Sequence, residues 1–196
     1  MIHVPTAPWA HTLFDVAAWA SGLGLGAALA RWRLREALTD VATRTDGYYF
    51  AALLAGAIPG AWLAGSLNTL SLSGALSHSV VGALAGGIAG VEAYKALRGI
   101  KGSTGRIFVG PFAAGVVVGR LGCFFAGLLD RTYGTPTRLP WAVDLGDGVG
   151  RHPVQLYESL VMALFLAAWL TGLQRRAPWA LRRGFYVMCV TYAVQR

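Results

Sequence analysis

Arg120 sits in a stretch that otherwise has the character of a membrane span. From Ile107 to Leu129 the chain reads IFVGPFAAGVVVGRLGCFFAGLL, with one charge in it. About 20 apolar residues suffice to cross a bilayer. An arginine near the centre costs roughly 2.5–3.5 kcal/mol on insertion scales, so it normally faces a polar cavity or a partner. Glu158 is the evident partner. In RHPVQLYESL, Pro153 can open a helix, where its missing N–H is no loss. Gln155 and Glu158, three apart, then share one face, with Glu158 one to two turns inside. Two readings of the pair stand side by side. It can simply hold two helices together, as buried pairs often do. Or, with His152, Arg151 and Gln155 around one cavity, it forms an anion site, since a guanidinium grips phosphate oxygens in bidentate fashion.

Proton transfer near neutral pH calls for histidine. His152 precedes the helix that begins at Pro153, where it is either a base or headgroup ligand or a helix cap; His78 opens another apolar segment and is the second candidate. Asp130 begins the loop 130–152 and is expected to orient Arg131 or the loop. Trp141 in that loop suits the membrane interface or a substrate contact equally. Asp15 and Glu92 also lie in apolar segments; Glu92, close to Lys95 and the cytoplasmic end, is expected to snorkel or pair, while the role of Asp15 is open. The four histidines are scattered and the two cysteines, Cys123 and Cys189, isolated, so no metal-ligand spacing is present. There is no GxxxxGK phosphate loop and no GxSxG elbow. Neither a metal nor a cofactor is expected.

These residues must be positioned by helices in a membrane. The chain has 196 residues, 55% hydrophobic and 13% charged, against about 25% charged in soluble domains. Six apolar segments run roughly 11–30, 48–66, 78–97, 107–129, 153–173 and 184–196. The last is too short to span, as if the sequence stopped inside a helix. The expectation is an all-α, polytopic transmembrane helix bundle, a single membrane domain over 1–196. The net charge of +8 comes from basic residues grouped in short loops, the pattern that sets topology and not one that points to nucleic acid. Arg31, Arg33, Arg35 and Arg44, then Lys95, Arg98, Lys101 and Arg106, then Arg175, Arg176, Arg182 and Arg183 mark three loops as cytoplasmic. Loop 67–77 has no basic residue, and loop 130–152 balances Arg131, Arg138 and Arg151 against Asp130, Asp144 and Asp147. These two loops and the N-terminus, which lacks a signal peptide's basic region, are assigned to the outside. Glycines four apart (Gly82, Gly86 and Gly90; Gly22 and Gly26; Gly115 and Gly119) predict close helix packing in lipid.

Gly119-Arg120-Leu121-Gly122 with Phe124, a long loop, then Arg151-His152-Pro153 and Gln155-Leu156-Tyr157-Glu158 resemble the bacterial prolipoprotein diacylglyceryl transferases. The resemblance implies an inner-membrane enzyme that moves a diacylglyceryl group from phosphatidylglycerol to a cysteine thiol in a lipoprotein signal peptide, with release of glycerol phosphate. It implies that Arg120 holds the headgroup phosphate, that His152, Gln155, Tyr157 and Glu158 belong to the site, and that Arg196 is the family's late-helix arginine. The chain departs from the pattern. Cys123, Ala126 and Leu128 stand where the family has Asn, Asn and Glu, and His78 is followed by Ser79 and Val80 in place of two glycines. A divergent, truncated member that keeps the lipid-phosphate site is therefore the expectation.

Three readings of function follow. One is a transferase using an anionic phospholipid, with a lipoprotein thiol or another acceptor. One is a non-catalytic lipid-binding or lipid-translocating protein on the same fold. The last is a solute transporter with Arg120 as anion site, disfavoured because no internal repeat is evident. The topology has a direct check. A cysteine at Ser71 or Gly146 is expected to react with an impermeant thiol reagent in intact cells, and one at Gly102 is not; the reverse pattern would invert the arrangement.

Overall fold

A computed structural model describes residues 1–69 and 78–195 (backbone only at 68 and 69). Residues 70–77, which are most of the expected loop 67–77 and include Ser71, lie outside the described residues, as does Arg196. The elements in chain order are β1 (Ile2–His3), α1 (Trp9–Trp32), α2 (Arg35–Arg44), α3 (Gly47–Thr69), α4 (Val80–Arg98), α5 (Val109–Ala126), β2 (Val143–Asp144), β3 (Gly150–Arg151), α6 (Val154–Gln174), α7 (Pro178–Arg182) and α8 (Gly184–Val194). Single 3-10 turns flank α5. Five of the helices are long and apolar enough to cross a membrane, and α8 is a shorter apolar helix. The protein is an all-α membrane bundle, with its helices over the apolar segments expected from the sequence.

Two of the basic loops are more ordered than the sequence implied. Loop 31–47 contains α2, because Ala37 and Val41, four apart, give it a buried stripe in an otherwise polar sequence. Segment 174–183 contains the short α7, with Pro178 at its start.

The chain divides into two compact units, Met1–Arg35 with Gly105–Arg196, and Glu36–Thr104. The second unit is the α3–α4 hairpin with α2. Its helices meet through glycine: a Cβ on Gly56 would lie 2.0 Å from the Gly86 carbonyl oxygen, and one on Gly60 would lie 2.4 Å from that of Gly82. Backbone-to-backbone approach of this kind is how small residues bind helices together in lipid, where no hydrophobic effect drives them. Asp46 ties the ends of the hairpin, accepting from Tyr94 Oη at 2.8 Å and from Arg98. The Tyr94 hydroxyl, first, and Arg98 hold the Asp46 carboxyl below its usual range. Glu92 pairs with Lys95 at 2.7 Å, as its position implied.

The first unit is built on α1, α5 and α6. Gly22 and Gly26 of α1 straddle Pro111 of α5, and a Cβ on either would come within 2.9 and 3.1 Å of it, whereas the pair Gly115 and Gly119 meets α1 at ordinary contact distance. Trp169 of α6, fully buried, donates from Nε1 to the Ala180 carbonyl at 3.1 Å and so docks α7. The outer faces stay apolar and exposed, as Leu13, Val16, Trp19 and Leu23 show along α1, which is what a lipid-facing surface requires.

Loop 130–152 folds back on the N-terminus. Ile2 and His3 pair in parallel with Val143 and Asp144, which pair antiparallel with Arg151 and Gly150. Asp144 organises the turn: its Oδ1 accepts the backbone N–H groups of Gly146, Asp147 and Gly148 at 2.9–3.1 Å, and its Oδ2 meets His3 Nδ1 at 2.9 Å. The Gly146 and Gly148 N–H groups and His3 hold the Asp144 carboxyl below its usual range. Gly146 and Gly148 take φ of +109° and +75°, where a side chain would be strained. Val4, Val143 and Leu145 then close over Phe124 at the end of α5.

Overpacking a helix contact costs about 1–3 kcal/mol. Gly56→Ala is therefore expected to lower the melting temperature in detergent by that equivalent. Gly24→Ala, which meets nothing within 4 Å, should leave it unchanged or slightly raised.

Candidate functional site

The centre of the first unit is a charge pair between α5 and α6. Arg120 and Glu158 are 8% and 7% exposed, and Arg120 Nε lies 2.6 Å from Glu158 Oε2. The two helices are registered by Ser159, whose Oγ donates to the Val117 carbonyl at 2.8 Å. That bond turns toward α5 the face that also carries Gln155, fully buried three residues before Glu158. Arg120 Nη1 donates to Cys123 Sγ at 3.4 Å. Arg120 Nη2 and both amide atoms of Gln155 have no hydrogen-bond partner among the described residues. Buried polar atoms are normally paired, so this face holds unspent donors and an acceptor beside a guanidinium. The arrangement suits an oxyanion held partly by Arg120 and partly by a neutral amide.

A second group sits at the start of α6. Tyr157 Oη accepts from Trp141 Nε1 at 2.7 Å and lies 3.4 Å from His152 Nδ1. The helix cap is Pro153, with no side-chain cap bond, so the capping alternative for His152 lapses and its ring is left facing Tyr157. Trp141 thereby takes a definite contact as well as an exposed position.

The other expected residues are distributed as follows. Arg151 is bound within its own loop: Nη1 donates to Asp147 at 2.6 Å and to the Val149 carbonyl at 3.2 Å, and the guanidinium lies over the Tyr133 ring. The hydrogen bond to Asp147 raises the Arg151 pKa and, reciprocally, lowers that of Asp147. Asp130 accepts from Thr132 and lies 3.0 Å from His11 Nε2. His78 belongs to the other unit, where its ring packs against Trp62 at 4.1 Å between centroids. Arg196 lies outside the described residues.

Sequence reasoning missed His11. Its Nδ1 is 2.8 Å from Asp15, one turn on in α1, and with Asp130 it brings Cys123 into a cluster of three metal-capable side chains. The spacing His11–Asp15 was a readable i, i+4 signal; the approach of Cys123 and Asp130 was not, because α1 and the end of α5 are far apart in sequence. Spacing along the chain shows no metal-ligand set, and the packing of α1 on α5 brings together three side chains that could hold a metal ion.

Comparison with known proteins follows the same residues. The sequence model of the family described as prolipoprotein diacylglyceryl transferase matches residues 16–196. Three relatives carry the name phosphatidylglycerol–prolipoprotein diacylglyceryl transferase. That of Solidesulfovibrio magneticus is 39% identical over 122 residues, covering 57% of this chain and 44% of the relative. That of Methylococcus capsulatus is 38% identical over 101 residues, 50% of this chain and 37% of the relative. That of Finegoldia magna is 50% identical over 54 residues, 28% of this chain and 20% of the relative. The matched region spans less than half the length of each of these proteins. No solved structure matches the chain.

Breaking a buried ion pair by removing one partner costs about 3–5 kcal/mol, whereas replacing both by apolar groups is often neutral. Glu158→Gln is accordingly expected to lower thermal stability in detergent strongly. The double variant Arg120→Met with Glu158→Leu should recover most of the loss, as read from the two melting curves.

Proposed function

Because the chain belongs to the prolipoprotein diacylglyceryl transferase family, we propose that it transfers a diacylglyceryl group from a phosphatidylglycerol-like anionic lipid to a cysteine thiol of a lipoprotein precursor. The reading places it in the bacterial cytoplasmic membrane, with the N-terminus and loop 130–152 outward. The lipid phosphate sits against Arg120, with the Gln155 amide as a second donor and Glu158 fixing the guanidinium. The acceptor thiol gives its proton to a base, its sulfur bonds to the glycerol carbon, and the carbon–oxygen bond to phosphate breaks. Glycerol phosphate leaves with the bond's electron pair, and Arg120 stabilises the charge that gathers on it. His152 is the base or headgroup ligand and His78 the residue to test next; Tyr157 and Trp141 line the approach. Arg151 is assigned to the loop that covers the approach, with Asp130 beside it, and Arg196 to the substrate site by resemblance alone. The reaction draws on no cofactor.

The observation that carries this reading is a buried guanidinium with an unpartnered Nη2, among the described residues, on the same inter-helix face as an unpartnered buried amide. The test uses the purified protein, lipid mass spectrometry, and turnover with labelled phosphatidylglycerol and a lipoprotein signal peptide. Arg120→Lys keeps the charge but loses the planar fork. It should lose a charged hydrogen bond of about 1.5–3 kcal/mol, an on-the-order-of ten- to hundredfold drop in retained lipid. His152→Asn should keep the lipid and lose turnover by roughly a hundredfold or more, the usual size of a missing general base. Unchanged retention and turnover in Arg120→Lys would refute the site. Lipid bound by the wild-type protein with no turnover would leave a lipid-binding protein on the family's fold.

A further inference from the structure

His11, Cys123 and Asp130 offer a nitrogen, a sulfur and an oxygen, and these three atoms lie within 4.8 Å of one another. Each is aimed by a further group. Asp15 holds His11 Nδ1 at 2.8 Å, which turns Nε2 toward the cluster. Thr132 donates to Asp130 Oδ2, which leaves Oδ1 facing His11 Nε2 at 3.0 Å. Cys123 is fixed on α5, with Arg120 Nη1 at 3.4 Å. A carboxylate behind a ligating imidazole is the usual outer shell of a metal site, fixing the tautomer and the ring.

The convergence of a nitrogen, a sulfur and an oxygen from α1 and the end of α5 carries the argument, and the contact between His11 and Asp130 is its shortest edge. A neutral imidazole has one N–H. If Nδ1 uses it toward Asp15, the Nε2 lone pair points at the lone pairs of Asp130 Oδ1 across 3.0 Å. Two acceptors at that distance need a proton or a metal ion between them. Protons would serve the cluster by another route, one between His11 and Asp130 and the Cys123 thiol's own on Asp130. A thiophilic cation serves all three, including the sulfur that completes the set.

The geometry points to a binding site for one divalent, thiophilic cation of the zinc class, ligated by His11 Nε2, Cys123 Sγ and Asp130 Oδ1. Three protein ligands of N, S and O type suit zinc and leave a fourth position open. Bond lengths of about 2.0–2.3 Å put tetrahedral ligands roughly 3.3–3.8 Å apart, so the cluster closes on an ion by movements on the order of an ångström. His11 is 43% exposed, which gives an ion a way in, while Asp130 is 8% exposed. Cysteine thiolate, aspartate and a neutral imidazole carry two negative charges in all, which balance the cation beside Arg120. The site borders the proposed transferase site, sharing Asp130 with it and touching Arg120 through Cys123, but its occupancy by a cation does not depend on that reaction.

Cobalt(II) tests it directly. The full chain in detergent is stripped with a chelator and titrated with Co²⁺. The expected result is saturation at one ion per chain, with a thiolate-to-cobalt charge-transfer band in the near ultraviolet and visible bands of tetrahedral intensity, both abolished by added Zn²⁺. Cys123→Ser and His11→Asn should lose the charge-transfer band, and Cys189→Ser should keep it. Asp15→Asn should weaken binding by about 10–100-fold, the cost of a lost outer-shell carboxylate. Absence of the band in the stripped wild-type protein would overturn the proposal and leave a proton shared by His11 and Asp130. So would its persistence in Cys123→Ser. The wild-type titration decides even where a variant fails to fold, and gel filtration of each variant identifies such a failure.

Discussion

A guanidinium cannot be left alone in hydrocarbon, and the first unit is arranged around that constraint. Arg120 on α5 requires a counter-charge, and Glu158 on α6 supplies it at 2.6 Å. Two buried charges repay their desolvation only when their geometry is fixed. The fixing comes from ordinary means: the Ser159 hydroxyl on the Val117 carbonyl, and the packing of Trp169 and Phe165 in the interior. Once α6 is registered on α5, the position of Gln155 follows, three residues earlier on the same face. The anion site proposed above would thus be a by-product of the solution to a solvation problem, with one guanidinium nitrogen unpartnered among the described residues.

The two units rely on different kinds of contact. In the α3–α4 hairpin, glycine removes side chains so that backbones touch, and dispersion and close dipoles hold the helices. At the end of α5 the contact is a small apolar cluster beneath a loop, of the sort found in water-soluble proteins. Asp144 lets that loop turn sharply by satisfying three successive N–H groups with one carboxylate oxygen. The loop then presents Trp141 to Tyr157 at the start of α6. A rigid bundle below and an organised loop above is a common division of labour in binding sites.

The sequence revealed most where the membrane imposes the strictest rules. Apolar runs located the spans because hydrocarbon demands length and composition together. Arg120 and Glu158 could be paired from the sequence because few charges lie in the apolar segments, so each had few possible partners. The sequence was silent where structure comes from a few local bonds. Strands of two residues have no readable alternation. The α2 helix has only Ala37 and Val41 to mark its buried face. His11 showed half of its environment, Asp15 one turn away, and hid the other half, since Cys123 and Asp130 come near only when α1 packs on α5. Arg151 shows the converse: its place beside His152 suggested the site, and the sequence did not show that Asp147, four residues earlier, pairs with it.

The parallel pairing of Ile2 with Val143 and of His3 with Asp144 sets an order of events in biogenesis. Strand β1 is made before its partner, which leaves the ribosome some 140 residues later. At about 5–20 residues per second that is a wait of roughly 7–28 s. Through that interval β1 is an unpaired edge, because the strand it pairs with in loop 130–152 has not yet been made. A bulky extension fused ahead of Met1 would lie beside the same strand edge. Its effect would appear in the yield of correctly closed protein more than in helices α1 to α5, which are made before β2.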